Sequence, residues 1–481
     1  MKDYIPTIGL EIHAELKTNS KMFCSCKNNP DEEKPNTNIC PVCMGHPGTL
    51  PVLNKEAIRN VLKVGHAVKG EIADFTEWDR KNYFYPDIPK GYQISQYKYP
   101  LVKGGILAGT KLTRIHLEED TAQSTHDTHD KSLINFNRAG VPLMELVTEP
   151  DIHSAETAVN FAKELQLLLR YLGVGEANLE KGEMRVEANI SVASKENTEA
   201  RNFGTKTEVK NLNSFKSVEK AIAYEIARQI ELIEKGEKVV QETRGWDENN
   251  LTTYSQRLKE SSHDYRYFPE PDIPKLKISE VADFSEESLT KEMGELPWIK
   301  RERFVKDFGM TEKEVGVFVE SKEVADYFEG VVGILKNRNP KAVKLTINYI
   351  LSDYLGLLKK DNKDVQKDIK IISCENFAKL ISMIDEGKLS SRGAKDTLII
   401  MLEKNTDPES IANENGFIQK NDEGEIKKIV ESVVTSNKSV VEDYKNGKVV
   451  ALQFLVGQGM KLTKGSANPE VLKKIILELI G

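Results

Sequence analysis

The sequence predicts an α+β chain, in which a sheet-rich first part is followed by an all-α part and a small α-helical tail. Three observations lead there. Residues 1 to about 290 are rich in Gly, Pro, Asn and aromatic residues and run in short alternating segments, with only two long helical patterns. From about residue 295, charged amphipathic stretches such as 341–358 take over, with few Gly or Pro. The stretch TDPES at 406–410 and the polar ENG and NDEG turns then set off a last segment. The expected divisions are 1–294, 295–404 and 405–481.

With 481 residues the chain can bury several cores, and its 75 Asp+Glu against 68 Lys+Arg give a net charge of -7. That balance excludes a protein that holds nucleic acid by bulk positive charge, and leaves local basic patches open. No run approaches the roughly 18 consecutive apolar residues of a membrane span. The opening MKDYIPTIGL lacks the apolar core of a secretion signal and the Arg/Ser bias of a transit peptide. A cytoplasmic protein with no membrane partner is expected.

The first element is a strand. Ile8 to Leu16 alternates, with Leu10, Ile12, Ala14 and Leu16 on one face and Glu11, His13 and Glu15 on the other. Such a set suits Mg2+ or orients a phosphate; the polar face of an edge strand has the same pattern. Next, Cys24, Cys26, Cys40 and Cys43 are spaced C-x-C, thirteen residues, C-x-x-C. Two close pairs across a short loop can bring four thiolates to the corners of a tetrahedron, so a structural Zn2+ is expected in the loop 24–43. Two reduced, unmetallated pairs are the alternative. His46 is a further ligand candidate, and Cys374 lies apart without a motif.

His116-Leu-Glu-Glu-Asp120 then sets three acids behind a histidine. Adjacent carboxylates repel unless a cation lies between them, so the run fits a metal site, or else a solvated acidic turn. Helices are expected from the cap Ser154 to Gly173 and from Ser217 to Gly236. Between them a strand carries Arg185, Glu187, Asn189 and Ser191 on one face, and Lys206, Glu208 and Lys210 follow on another. Acids and lysines sharing a sheet surface suit a polyphosphate with its Mg2+; cross-strand salt bridges on a wet sheet would look alike.

The segments 79–97 and 263–272 interleave Tyr and Phe with Lys, Arg and Gln, as a wall that stacks on a base would. The closure of an ordinary core is the plainer account. No G-x-x-x-x-G-K-[ST], no G-x-G-x-x-G after a strand and no G-x-S-x-G elbow is present. From Tyr444 onward, Lys445, Lys448, Lys461, Lys464, Lys473 and Lys474 face only Glu470 and Glu478. That local positive charge beside Gly457, Gly459 and Gly465 suits RNA phosphate, or simply a soluble helical surface.

The words IGLEIHAEL, NTNICPVCMGHPGTLPVLN, DRKNYFYPDIPKGYQISQ, HLEED, NRAGVPLMELVTEPD, EANIS, GTKTEVKNLNSF and DYRYFPEPD closely resemble the B-subunit family of bacterial tRNA-dependent amidotransferases. ELPWIKRERF and GQGMKLTKGSANP extend the resemblance over the whole chain. It implies that 1–294 is a cradle related to the glutamine synthetase catalytic fold, 295–404 a helical domain and 405–481 a tRNA-binding tail. It also implies a reaction. The side-chain carboxylate of Glu-tRNA(Gln), Asp-tRNA(Asn) or both would be phosphorylated with ATP and Mg2+, and ammonia would displace the phosphate.

Carried onto this chain, the resemblance puts catalysis on Glu11, His13, Glu118 and Glu119. Mg2+ falls to Glu11, His13 and Glu119, with Glu149 and Glu187 as further candidates. Lys206 and Lys210 would meet phosphate, and Arg185, Tyr265 and Arg266 would line the nucleotide pocket. The chain has no Gly/Ser-rich amidase signature, so ammonia would come from an A subunit, an amidase, with a small C subunit completing a heterotrimer. In one place the chain departs from the family. Where the family often has Ala-Gly-Lys-Ser after HLEED, this chain has Thr121-Ala122-Gln123-Ser124 and so lacks a positive charge there. A tRNA-binding scaffold without catalysis and a free-standing carboxylate–amine ligase are the competing readings.

Overall fold

Period-two alternation builds the first of two compact units, Met1–Pro297, and helices build the second, Trp298–Gly481. The α+β class expected from the sequence is the one found. The computed structural model describes residues 4–128, 131–258, 265–335, 338–419, 423–463, 467 and 469–481. His263, Asp264, Lys464 and Gly465, singled out above, lie outside the described residues.

The strands that position the site are β1 (Tyr4–Glu15), β2 (Glu71–Ile72), β3 (Asp79–Asn82), β4 (Tyr92–Ser95), β5 (Val102–Lys103), β6 (Ile106–Leu107) and β7 (Thr110–Glu119). They continue as β8 (Pro142–Thr148), β9 (Met184–Ser194), β10 (Thr207–Leu212), β11 (Glu242–Asp247), β12 (Thr252–Leu258) and β13 (Phe268–Pro269). A ten-stranded sheet runs β12-β11-β10-β9-β1-β8-β7-β5-β2, with β6 paired to β7. Its pairs are antiparallel except β10 with β11.

β1 lies in the middle. Ile8, Leu10, Ile12 and Ala14 are no more than 1% exposed, which pins its register, because a slip by one residue would bury Glu11 and His13 instead. β7 carries a bulge: Leu112 opposes Thr148 but Arg114 opposes Val147, so Thr113 is an extra residue. Beside β7 stands a small sheet, β13-β3-β4, that becomes the second wall of the site.

Helices α1 (Lys55–Ala67), α2 (Ala155–Tyr171) and α3 (Phe215–Glu234) complete this unit's core. Ser154 caps α2 as expected, its side chain accepting from the Thr157 amide. For α3 the cap is Ser214, three residues before the expected Ser217, because the Ser214 hydroxyl accepts from the Ser217 amide. Gly173 and Gly236, at φ of 68 and 74, end the two helices in the left-handed region that a side chain disfavours.

In the second unit, the stretch expected to be one helix at 341–358 is Pro340–Asn348, a π-helical segment Tyr349–Tyr354, and Leu355–Lys360. The widened turn is accompanied by a fully buried Tyr354, whose hydroxyl donates to the Ile369 carbonyl at 2.8 Å and accepts from the Ile372 amide at 3.2 Å. The helix Pro408–Glu414 packs on Ser391–Lys404 and Cys374–Asp385. A core of its own, including Ile426, Val430, Leu455, Leu472 and Ile476, then holds the last helices together. Among the described residues no helix is long and apolar enough to cross a membrane.

Candidate active site

Register sets four side chains in a row across the sheet. His116 on β7 opposes Glu145 on β8, Glu145 opposes His13 on β1, and His13 opposes Arg185 on β9. In the next row Glu11 opposes Glu187. The His13 Nε2 lies 3.6 Å from Glu145 Oε2, 3.7 Å from Glu118 Oε1 and 3.9 Å from Glu11 Oε1. His116 Nε2 lies 3.2 Å from the same Glu145 oxygen. These groups open into a cavity of about 690 Å³ on the sheet face.

Three sets of donors converge: Glu11, His13 and Glu145; His116, Glu118 and Glu145; and Glu11, Glu187 and Glu208, each with ligand atoms within 4.8 Å of one another. Carboxylate oxygen with imidazole is a donor chemistry that fits a hard divalent cation such as Mg2+. The electrostatics point the same way. Burial and the charge of Glu145 push the Glu11 carboxyl up, and burial with Asp120 pushes Glu15 up to about 8. The face holds more carboxylates than it can ionise, and a cation would relieve that. Burial opposes ionisation of Glu145 too, but His116 and His13 hold it well below the usual carboxylate range. Burial opposes a charge on His13 as well, yet the hydrogen bond and field of Glu145 raise it to about 9.

The expected residues divide. Glu11, His13, Glu118, Arg185, Glu187, Lys210 and Tyr265 line the cavity together. Glu119 does not. Alternation turns it to the opposite face of β7, where its carboxylate takes the Ile94 amide at 2.9 Å and pairs with Lys90. Glu149 lies past the end of β8, accepting from the Thr113 hydroxyl at 2.8 Å. Lys206 precedes β10 and is exposed, outside the cavity lining. Arg266 is exposed with φ of 45, and it is its carbonyl that is held, by the Asn82 side chain at 2.8 Å. Gln123 is exposed and does not line the cavity, so the missing lysine charge falls outside it.

Sequence reasoning singled out neither Glu145 nor Lys81, and it placed Asp120 in the acidic run at 118–120 as a metal candidate rather than as a partner of arginines. Glu145 had a signal: it is the lone charge in the strand PLMELVT, and a carboxylate buried in an apolar strand needs a partner. Asp120 is gripped by Arg185 and, at 3.6 Å, by Arg138, which hold its carboxyl down against burial. Lys210 reaches Glu187 at 2.8 Å and Glu208 at 3.9 Å. The aromatic segments meet as a wall. Tyr97 stacks on Tyr267 with ring centroids 4.3 Å apart and planes at 11°, and Tyr83 meets Tyr265 edge-on at 5.8 Å.

Elsewhere in this unit, the sulfurs of Cys24, Cys26, Cys40 and Cys43 converge within 4.8 Å of one another. A tetrahedral ion with bonds of about 2.3 Å needs sulfurs roughly 3.8 Å apart. Cys40 and Cys43 stand 3.9 Å apart, so the set fits a structural metal. The Cys24 hydrogen bond and the nearby Lys21 charge hold the Cys43 thiol at about 5, against burial. Lys21 is fully buried, its Nζ 3.9 Å from Cys43 Sγ.

Acids, imidazoles and cations on one sheet face, closed by a tyrosine wall, define a pocket suited to divalent cations and anionic groups. The family model of the GatB/GatE catalytic domain matches residues 6–282, and that of the GatB domain matches residues 326–480. The chain is 43% identical to the B subunit of the aspartyl/glutamyl-tRNA(Asn/Gln) amidotransferase of Carboxydothermus hydrogenoformans, over 100% of both chains. It is 45% identical to the same subunit of Thermodesulfovibrio yellowstonii and 43% to that of Fusobacterium nucleatum, over 99% of each chain. This chain belongs to the GatB family.

Proposed function

We infer that this chain is the activating subunit of a tRNA-dependent amidotransferase, acting on misacylated Glu-tRNA(Gln), Asp-tRNA(Asn) or both. The relatives' names supply the substrates. The observation that supports a catalytic role is the pair of donor triads sharing Glu145 beneath a tyrosine wall. Mg2+ would be held by Glu11, His13, Glu118, His116 and Glu145, where it supplies charge neutralisation for phosphate oxygens. The chain's own groups position the reactants.

In this reading an oxygen of the substrate carboxylate attacks the γ-phosphorus of ATP. An O–P bond forms, the bond from that phosphorus to the bridging oxygen breaks, and ADP leaves with the electron pair. Ammonia then adds at the acyl carbon, phosphate leaves with the C–O electron pair, and a proton is lost to give the amide. Arg185, fixed by Asp120, and Lys210, fixed by Glu187, would face the transferred charge.

Ammonia would come from the amidase of an A subunit, with a C subunit in the same complex. A Zn2+ held by the four cysteines would brace the loop 24–43. The tail would bind the tRNA, supported by Lys445, Lys461 and Lys473 on its helices; Lys448 and Lys474 approach Asp443 at 2.9 Å and Glu478 at 4.0 Å.

The test assembles this chain with its two partner subunits and follows Glu-tRNA(Gln) with free ammonia as donor. ATP-dependent formation of Gln-tRNA(Gln), lost on Glu145→Gln, is expected. Full activity of that variant would reject the reading.

A further inference from the structure

Among the described residues two lysines and two arginines line the cavity, and three of these four have carboxylates: Arg114 reaches Glu145 at 3.3 Å, Lys210 reaches Glu187 at 2.8 Å, and Arg185 grips Asp120. The ammonium of the fourth, Lys81, makes no ion pair or hydrogen bond among the described residues, although its backbone is paired with Gln93 across the strands. It stands on β3, in the small sheet that forms the second wall, and its ammonium lies 5.1 Å from the ring centre of Tyr265 and 5.7 Å from that of Tyr83. Its neighbour Arg80 has the opposite fate. Arg80 forks onto the buried Glu270 at 2.6 and 2.8 Å and lies over Tyr92.

Cation–π contact steadies a lysine but leaves its three N–H groups without acceptors. The charge survives all the same. Burial works against it, yet the fields of Glu118, Tyr267, Tyr83 and Glu145 keep the lysine's pKa above the ordinary value. Glu118 and Glu145 are also metal-donor candidates. A divalent cation on those carboxylates would cancel the field that sustains Lys81, and two cations would then face each other across the cavity. That arrangement holds only if an anion arrives with the metal and bridges the two.

We propose that Lys81 binds the phosphoryl group in transfer, meeting its oxygens from the side opposite the metal. The inference rests on the ATP-dependent reading of the cavity. Lys81 would donate to oxygens whose charge shifts as the γ-phosphorus passes from ADP to the substrate carboxylate, while its own proton stays in place. A tyrosine cage suits that task, because it keeps water from the ammonium without offering a competing anion.

The experiment uses the complex with its partner subunits, carrying Lys81→Met or Lys81→Arg. ADP release is followed in a single turnover with ATP and Glu-tRNA(Gln) and no nitrogen donor, and Mn2+ binding alone is followed by electron paramagnetic resonance. Lys81→Met should slow donor-free ADP release by about 100-fold or more. Lys81→Arg should recover part of it, and Mn2+ should bind both variants at least as tightly as the unaltered complex. Donor-free ADP release at the normal rate, with only amide formation reduced, would overturn the assignment. So would equal loss in both variants accompanied by loss of Mn2+ binding, the mark of a damaged fold. If the unaltered complex, given ammonia, forms no Gln-tRNA(Gln) in an ATP-dependent way, the ATP-dependent reading itself fails and the role of Lys81 falls with it.

Discussion

His13 and Glu145 face each other across β1 and β8, their nearest side-chain atoms 3.6 Å apart, and Glu145 reaches His116 through the same oxygen. Glu145 thus belongs to two donor sets at once. Glu145→Gln keeps the shape and removes the charge. Mn2+ binding should weaken at both sets, at least about tenfold by the usual cost of altering a metal site. In the metal-free protein the His13 pKa should fall from about 9 toward that of an ordinary imidazole, because its hydrogen-bond partner is no longer an anion. Metal titration and an NMR titration of the imidazole check both; unchanged values would remove Glu145 from the site.

Glu119→Gln should behave differently. Its carboxylate is 6% exposed and Lys90 is 11% exposed, so the substitution strands a lysine in the interior. Breaking a buried pair on one side costs about 3 kcal/mol. Denaturant melts should record a loss of that order while Mn2+ affinity holds. A variant that keeps its stability and loses Mn2+ would return Glu119 to the metal site.

The cysteine cluster should carry zinc. Purified protein is expected to hold one zinc per chain by elemental analysis, and Cys40→Ser or prolonged chelation should remove it and lower the melting temperature. Lys21→Met should speed release to a chelator, since the buried ammonium offsets the negative charge of the thiolates. Zinc-free protein with four freely titrating thiols and an unchanged melting temperature would refute this.

Alkali should loosen the helical unit before it would loosen an average fold. Burial pushes the Tyr354 phenol up to about 12 and moves Tyr327 upward as well. The unfolded chain ionises near the ordinary value of about 10, so Tyr354's contribution is complete below that pH and is lost as pH rises toward 12. Urea melts at rising pH, with tyrosinate absorbance followed alongside, should show the decline. Tyr354→Phe should flatten it; an equal decline in that variant would place the cause elsewhere.

Much of the site is legible from alternation alone. β1 and β9 present Glu11, His13, Arg185 and Glu187 as their period-two patterns require. Three successive acids at 118–120 suggest one ligand set, but neighbours on a strand point to opposite faces, and Glu119 is lost to the far side. Lys206 shares the parity of Lys210, yet β10 begins only at Thr207. Lys81 does not stand out in the sequence, because its role depends on what surrounds it: the rings beside it and the acids across the cavity belong to segments far apart in the chain. The π-helical segment at Tyr349–Tyr354 is equally hidden, since its local sequence repeats like any amphipathic helix.

The extra residue at Thr113 decides which side of β7 does chemistry. Thr110 and Leu112 point into the core, yet Arg114, His116, Glu118 and Asp120, of the same parity, line the cavity. Loss of that one residue would send the polar series inward and bring Ile115 and Leu117 out to replace it. Any of these side chains can be exchanged singly at a bounded cost. A change of one in the residue count between Leu112 and Arg114 would instead turn the whole series at once, so the length of this strand matters to the site as much as its composition.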